Sequence, residues 1–212
     1  MIIKTFQGGF DKNLSYLIWC KKTKIAAIID PAVEINPILE EINKNNLQLS
    51  KIFITHTHHD HIAFLDDFYY LFPNIQILVH SKLKGDYYNI QIEHNQIITV
   101  GEELIICLYT PGHYYDSICF WNKKNKSLFT GDTMFIGRTG RTVSARSNIK
   151  DLYNSIYNII LKLPHNTTIF PGHHYGYKIS ATINENIICS KFFNAKSLNE
   201  FQEVMNQYEL NR

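Results

Sequence analysis

Apolar positions along the 212-residue chain recur with two different periods, and these divide it into strands and helices. Short runs rich in β-branched and aromatic residues, bounded by turn residues, predict strands over 14–20, 25–29, 52–55, 75–79, 104–110, 118–121, 128–130 and 167–170. Helical spacing joins Ile35, Ile38, Leu39 and Ile42 into one stripe. A longer stripe runs from Ile149 through Leu152, Ile156 and Ile160 to Leu163, where Pro164 stops it. A third comprises Ile62, Leu65, Tyr69 and Phe72, and a last one Leu198, Phe201, Met205 and Tyr208, entered through a predicted capping box of Ser197 and Glu200. No repeat, low-complexity tract or Pro/Gly/Ser linker interrupts this alternation. The expectation is one α/β domain over 1–212 with a short C-terminal helix.

Composition narrows the function. With 45% apolar residues the chain can bury a sizeable core. Its 21 basic and 19 acidic residues form no long run of one sign, so the footprint of a nucleic-acid or membrane-surface binder is missing and a small-molecule partner is expected. The N-terminus lacks a signal-peptide pattern and no apolar stretch approaches a membrane span, which predicts a cytoplasmic protein. The oligomeric state leaves no mark in the sequence. Cys20, Cys107, Cys119 and Cys189 are far apart, form no Cys-x-x-Cys, and read as reduced, buried thiols.

The chemistry concentrates in Thr55-His56-Thr57-His58-His59-Asp60-His61, which packs four metal-binding groups, His56, His58, Asp60 and His61, into six residues. Three further apolar runs also end on such a group. Residues 104–110 lead into Pro111-Gly112-His113, 127–130 into Gly131-Asp132, and 168–170 into Pro171-Gly172-His173. Sites in layered α/β proteins lie beyond strand ends, where loops expose polar groups on a rigid frame. One shared centre follows. Its seven candidates exceed the needs of one tetrahedral zinc, whose ligands sit at about 2.0 to 2.2 Å. They suit two ions about 3.5 to 4 Å apart that share a carboxylate and a hydroxide. His59 and His174 read as neighbours of ligands or as packed side chains, and His80, His94 and His165 as structural or solvated. Asp11, Asp30, Asp66, Asp67, Asp86, Asp116 and Asp151 read first as surface, turn or cap carboxylates. Asp30, at a strand end aimed at the same edge, is singled out as a partner for a ligand.

In the order His-x-His-x-Asp-His, Thr110-Pro111-Gly112-His113, Phe129-Thr130-Gly131-Asp132-Thr133 and Pro171-Gly172-His173, the chain resembles the metallo-β-lactamase fold superfamily. The resemblance implies a four-layer αβ/βα sandwich with the metal site at one edge of two β-sheets. It implies His56, His58 and His113 on a first metal, Asp60, His61 and His173 on a second, and Asp132 bridging.

Within that superfamily the chain is most similar to glyoxalase II-like hydrolases, through Asp132-Thr133-Met134-Phe135 and His173-His174-Tyr175. That branch implies two zinc ions, with iron or manganese as substitutes, and a metal-bridging hydroxide that attacks a small-molecule thioester, in that branch a glutathione-derived one. Asp60 or Asp132 would orient the hydroxide and take its proton, while Arg141 and Tyr175 would contact substrate. The branch's other substrate-binding Tyr falls on Val143, and its C-terminal basic residues have no counterpart. A second resemblance, carried by Gly140-Arg141-Thr142, Tyr175 and the short terminal helix, is to persulfide dioxygenases, which implies a single iron on His56, His113 and Asp132 acting on glutathione persulfide. Val143-Ser144 departs from that branch. A closed structural zinc site needs only four ligands and accounts poorly for seven.

Overall fold

Alternation along β2 shows why this sequence builds two stacked sheets. In the computed structural model, which describes residues 1–83 and 90–211, β2 spans Asn13–Trp19 and is buried throughout. Leu14, Tyr16 and Ile18 enter a cluster with Phe53, Ile105, Phe120 and Phe129, whereas Leu17 and Trp19 enter another with Ile38, Ile42 and Phe68. Side chains on opposite faces of one strand thus serve two cores, as a strand covered on both sides requires.

The first sheet has the order β1 (Ile2–Gly8), β2, β3 (Ile25–Ile29), β4 (Gln48–Phe53), β5 (Gln76–His80) and β6 (Ile90–Ile92). Its first three strands pair antiparallel and its last four parallel. The second contains β7 (Ile97–Val100), β8 (Glu103–Tyr109), β9 (Ile118–Asn122), β10 (Ser127–Gly131), β11 (Thr168–Pro171) and β12 (Ala181–Thr182), of which only β10 and β11 pair parallel. Helices α1 (Ile35–Lys44) and α2 (Leu65–Leu71) cover the outside of the first sheet. Helix α3 (Ile149–Asn154) and the terminal helix α5 (Leu198–Leu210) cover the second, with α4 (Ile183–Cys189) alongside. This is the expected four-layer αβ/βα sandwich. Among the described residues no helix is long and apolar enough to cross a membrane.

All eight predicted strands form, with ends shifted by a few residues, and β1, β6, β7 and β12 were not anticipated. The predicted helices form too, but the long stripe after Ile149 loosens into a π turn over Ser155–Ile159 and a 3-10 turn over Ile160–Lys162 before Pro164. The capping box at Ser197 is only half made. Ser197 Oγ accepts from the Glu200 amide, but Glu200 accepts from the amide of Lys196 instead of Ser197. Cys189 is exposed rather than buried, while Cys20, Cys107 and Cys119 are buried, all four being free thiols. Asp116 and Asp30 are buried at 3% and 2% exposure, contrary to a surface reading, whereas Asp11, Asp66, Asp67 and Asp151 are exposed. Asp86 lies outside the described residues.

Candidate metal centre

Strands β4, β8, β10 and β11 all point their C-terminal ends at one edge of the sandwich, and the seven candidate ligands follow them. His56 and His61 are exposed by 1% or less, His173 by 3% and Asp132 by 9%. Three groups have ligand atoms within 4.8 Å of one another: His56, His58 and His113; Asp60, His61 and His173; and His56, His61 and Asp132. The first two are the trios that the resemblance implied. Asp132 reaches both, its Oδ2 lying 3.5 Å from His113 Nε2 and 3.5 Å from His173 Nε2.

Local backbone makes this convergence possible. Gly131 has φ +48°, a conformation that side-chain-bearing residues seldom adopt, and it turns β10 so that Asp132 faces the centre. A Cβ on Gly172 would stand 2.4 Å from Asp132 Oδ1 and 2.5 Å from His61 Cε1. Only glycine lets that strand end approach so closely. Tyr16 donates its hydroxyl to Pro171 O at 2.6 Å and pins the same strand from within the core.

Hydrogen bonds on the far side of the rings set the ligand lone pairs. A carbonyl can only accept, so His113 Nδ1 donates to Arg141 O at 2.8 Å and His173 Nδ1 to Asp11 O at 2.8 Å. His61 Nδ1 lies 2.8 Å from Asp30 Oδ2 and donates in the same way. Nδ1 thus carries a proton in each case, and Nε2 is aimed inward, where its lone pair serves a metal once any proton on it is displaced. Asp30 is itself fixed by the Thr55 amide at 2.7 Å and the Thr55 hydroxyl at 2.6 Å. Its expected role beside a ligand is thus given a geometric basis.

The donor set fits metal ions on two observations. His58 Nδ1 stands 2.9 Å from His56 Nε2 and 3.0 Å from His113 Nε2, and His61 Nε2 stands 3.2 Å from His173 Nε2. Ligands about 2.0 to 2.1 Å from a tetrahedral ion are roughly 3.3 Å apart, so these clustered nitrogens are spaced close to what a shared cation imposes. Asp132 Oδ1 is buried 3.1 Å from His61 Nε2 without a hydrogen bond. A buried carboxylate oxygen of that kind calls for a cation.

Electrostatics point the same way. Burial, reinforced by neighbouring imidazoles, pushes His56 well below its usual range and His58 down to about 4. Burial opposes charge on His173 as well, but the Asp132 and Asp60 carboxylates outweigh it and hold the imidazole up to about 9. For Asp132, burial favours the acid form and is overcome by His61 and His173, which keep the carboxyl well below its usual range. Asp60 follows the same pattern, with His173, His61 and Asn13 overcoming its burial. Positive charge is stabilised between Asp132, Asp60 and the second trio.

A cavity of about 450 Å³ opens over the centre, lined by Asp60, Asp132, Arg141, Tyr175, Phe10 and Val143 among others. Arg141 is exposed and unpaired by any carboxylate among the described residues. Tyr175 gives its hydroxyl to Asp11 and stacks on His173, with ring centroids 4.7 Å apart and planes 6° apart. His59 is exposed and meets Phe10 edge-on, and His174 contacts Gln7. Sequence reasoning missed Asn13, which donates to Asp60 Oδ2 at 2.9 Å from 47 positions away. It also missed the carbonyls of Asp11 and Arg141, which carry no side-chain signal, and Phe10 at the cavity mouth.

Sheet order, ligand edge and the ordered boxes define a metal-dependent enzyme built on this sandwich. A family model described as the metallo-beta-lactamase superfamily matches residues 8–173, and the chain belongs to that superfamily. It is 31% identical over 205 residues to the hydroxyacylglutathione hydrolase of Dictyostelium discoideum, which covers 93% of this chain and 72% of that protein. A Bacillus subtilis protein, PksB, whose name describes a zinc-dependent hydrolase of polyketide biosynthesis, is 30% identical over 180 residues, covering 82% of this chain and 78% of its own. Among solved structures, ETHE1 from Myxococcus xanthus superposes with a TM-score of 0.89 at 29% identity, over 100% of this chain and 93% of that one. Family, relatives and clustered donors together make the chain a metallo-hydrolase.

Proposed function

We propose that this metallo-hydrolase is a glyoxalase II-like thioester hydrolase working with two zinc ions. His56, His58 and His113 would hold one ion, Asp60, His61 and His173 the other, and Asp132 would be shared. The observation that carries the two-ion reading is the reach of Asp132 Oδ2, 3.5 Å from a nitrogen of each trio. A glutathione-derived substrate is supported by the name of the Dictyostelium relative.

When bound, such a pair supplies Lewis acidity at a carbonyl and lowers the pKa of water towards 7. The protein's own groups do the rest. Asp60 stays ionised at neutral pH because its neighbours outweigh its burial, and Asn13 fixes the Oδ2 edge. Its side chain is 31% exposed towards the cavity, so it can orient a water and accept its proton. Arg141 and Tyr175 line the cavity wall, where they would contact substrate. No nucleophilic side chain is required.

Hydrolysis of S-D-lactoylglutathione, followed by loss of thioester absorbance, tests this reading. The wild type turns the substrate over, and Asp132→Ala abolishes turnover while the circular dichroism of the fold is kept. Absence of thioester turnover, with oxygen uptake on glutathione persulfide, would favour a single-iron dioxygenase on His56, His113 and Asp132.

A further inference from the structure

The segment between Asp132 and α3 carries three arginines, and Arg138 has no part in the chemistry above. It is half-buried. Its guanidinium carbon lies 4.2 Å from the Tyr175 ring centroid and 5.3 Å from those of Phe135 and Tyr208, and it donates to the Tyr208 hydroxyl. Aromatic faces attract a cation and fix its position. Among the described residues they leave most of its five N–H donors without an acceptor and its charge without a counter-ion. No ion pair among the described residues involves Arg138 or Arg141. A half-buried guanidinium with donors to spare is suited to an anion.

The place for that anion is next to the metal centre. Both arginines line a cleft of about 50 Å³ together with His113, Asp132 and Tyr175. About 10 to 15 Å³ of such space holds one water, so the cleft admits a group of carboxylate size. Arg141 is rooted beside a ligand, since its carbonyl accepts from His113 Nδ1. Arg138 is held by three separate segments: its own loop, the turn after His173, and α5 through Tyr208. Such fixed geometry lowers the entropy cost of binding an anion.

We propose that Arg138, acting with Arg141, is the carboxylate-holding element that sets substrate class, so that the preferred thioester carries a carboxylate near the scissile bond. This rests on the thioester-hydrolase reading. The carboxylate belongs either to the thiol half or to the acyl half, and stable thioethers separate the two. Titration calorimetry on the metal-loaded protein would use S-methylglutathione for the thiol half, S-carboxymethyl-N-acetylcysteamine for the acyl half, and neutral S-methyl-N-acetylcysteamine. One of the anionic probes is expected to bind more tightly than the neutral one. Arg138→Met weakens that probe at least tenfold, Arg138→Lys restores part of the loss, and the neutral probe is unmoved.

Equal binding of all three probes by the wild type would overturn the inference, as would an equal loss on all three in Arg138→Met. Turnover of S-D-lactoylglutathione, or of lactoyl-N-acetylcysteamine at high concentration, reports the underlying hydrolysis separately. If it proceeds without Arg138-dependent binding, the inference fails and the hydrolase reading stands. Arg138-dependent binding with no thioester turnover gives the opposite outcome.

Discussion

His61 shows how much support one imidazole needs before it can hold a metal. Its ring is fully buried, and its outer nitrogen is tied to Asp30, which Thr55 holds by both amide and hydroxyl. Removing that acceptor frees the tautomer and the ring orientation, and losses of this kind lower metal affinity by about 10- to 100-fold. Asp30→Ala is therefore expected to weaken metal binding to that extent in a competition titration with a chelator of known affinity. An unchanged affinity would show that His61 is not a ligand. At this scale the clustering of the seven candidate ligands was legible because His and Asp beside strand ends are a strong signal. Their partners were not. Asn13 meets Asp60 only through the fold, and a carbonyl at Asp11 or Arg141 looks like any other in a sequence. Asp116 was misread for the same reason, since the Thr57 hydroxyl that binds it at 2.6 Å is 59 positions away.

Among the elements, α4 is the instructive miss. Its entry at Thr182 is a complete capping box, with Thr182 Oγ1 accepting from the Glu185 amide at 3.1 Å and Glu185 Oε2 accepting from the Thr182 amide at 2.7 Å. Thr182-x-x-Glu185 is as readable as the pattern at Ser197, where only half of the box forms. The seven-residue helix is too short to show a convincing apolar period, and so the signal went unused. Strands β1 and β7 escaped because they are sheet edges whose residues are only partly buried, which blurs the alternation. Thr182→Ala is expected to destabilise the protein by about 1 kcal/mol, measured as the shift of the urea midpoint. Hydrogen bonds from Lys178 and from Thr182 pull the Glu185 carboxyl down from 4.5 to about 2. A depressed carboxyl stabilises the fold above its unfolded value and loses that contribution as pH falls through the folded one. The stability gap between wild type and Glu185→Gln should thus be complete above 4.5 and close as pH falls towards about 2. A gap that widened on acidification would rule out this role.

The whole molecule works by bringing four strand ends from two sheets to one edge. Sheet stacking was implied by family resemblance, and the strand ends alone showed that the ligands share a region. Neither could show that Asp132 stands between the trios at equal distances of 3.5 Å, because that depends on how β10 and β11 pair and on the turn at Gly131. Nor could local pattern reveal the Arg138 cage, which unites a loop, a turn and the terminal helix. The shared carboxylate is the centre of the account, and metal content tests it most directly. Elemental analysis of the zinc-reconstituted protein should find close to two ions per chain, with thioester hydrolysis lost on chelation and regained when the second ion is restored. A single ion per chain at full activity would contradict it.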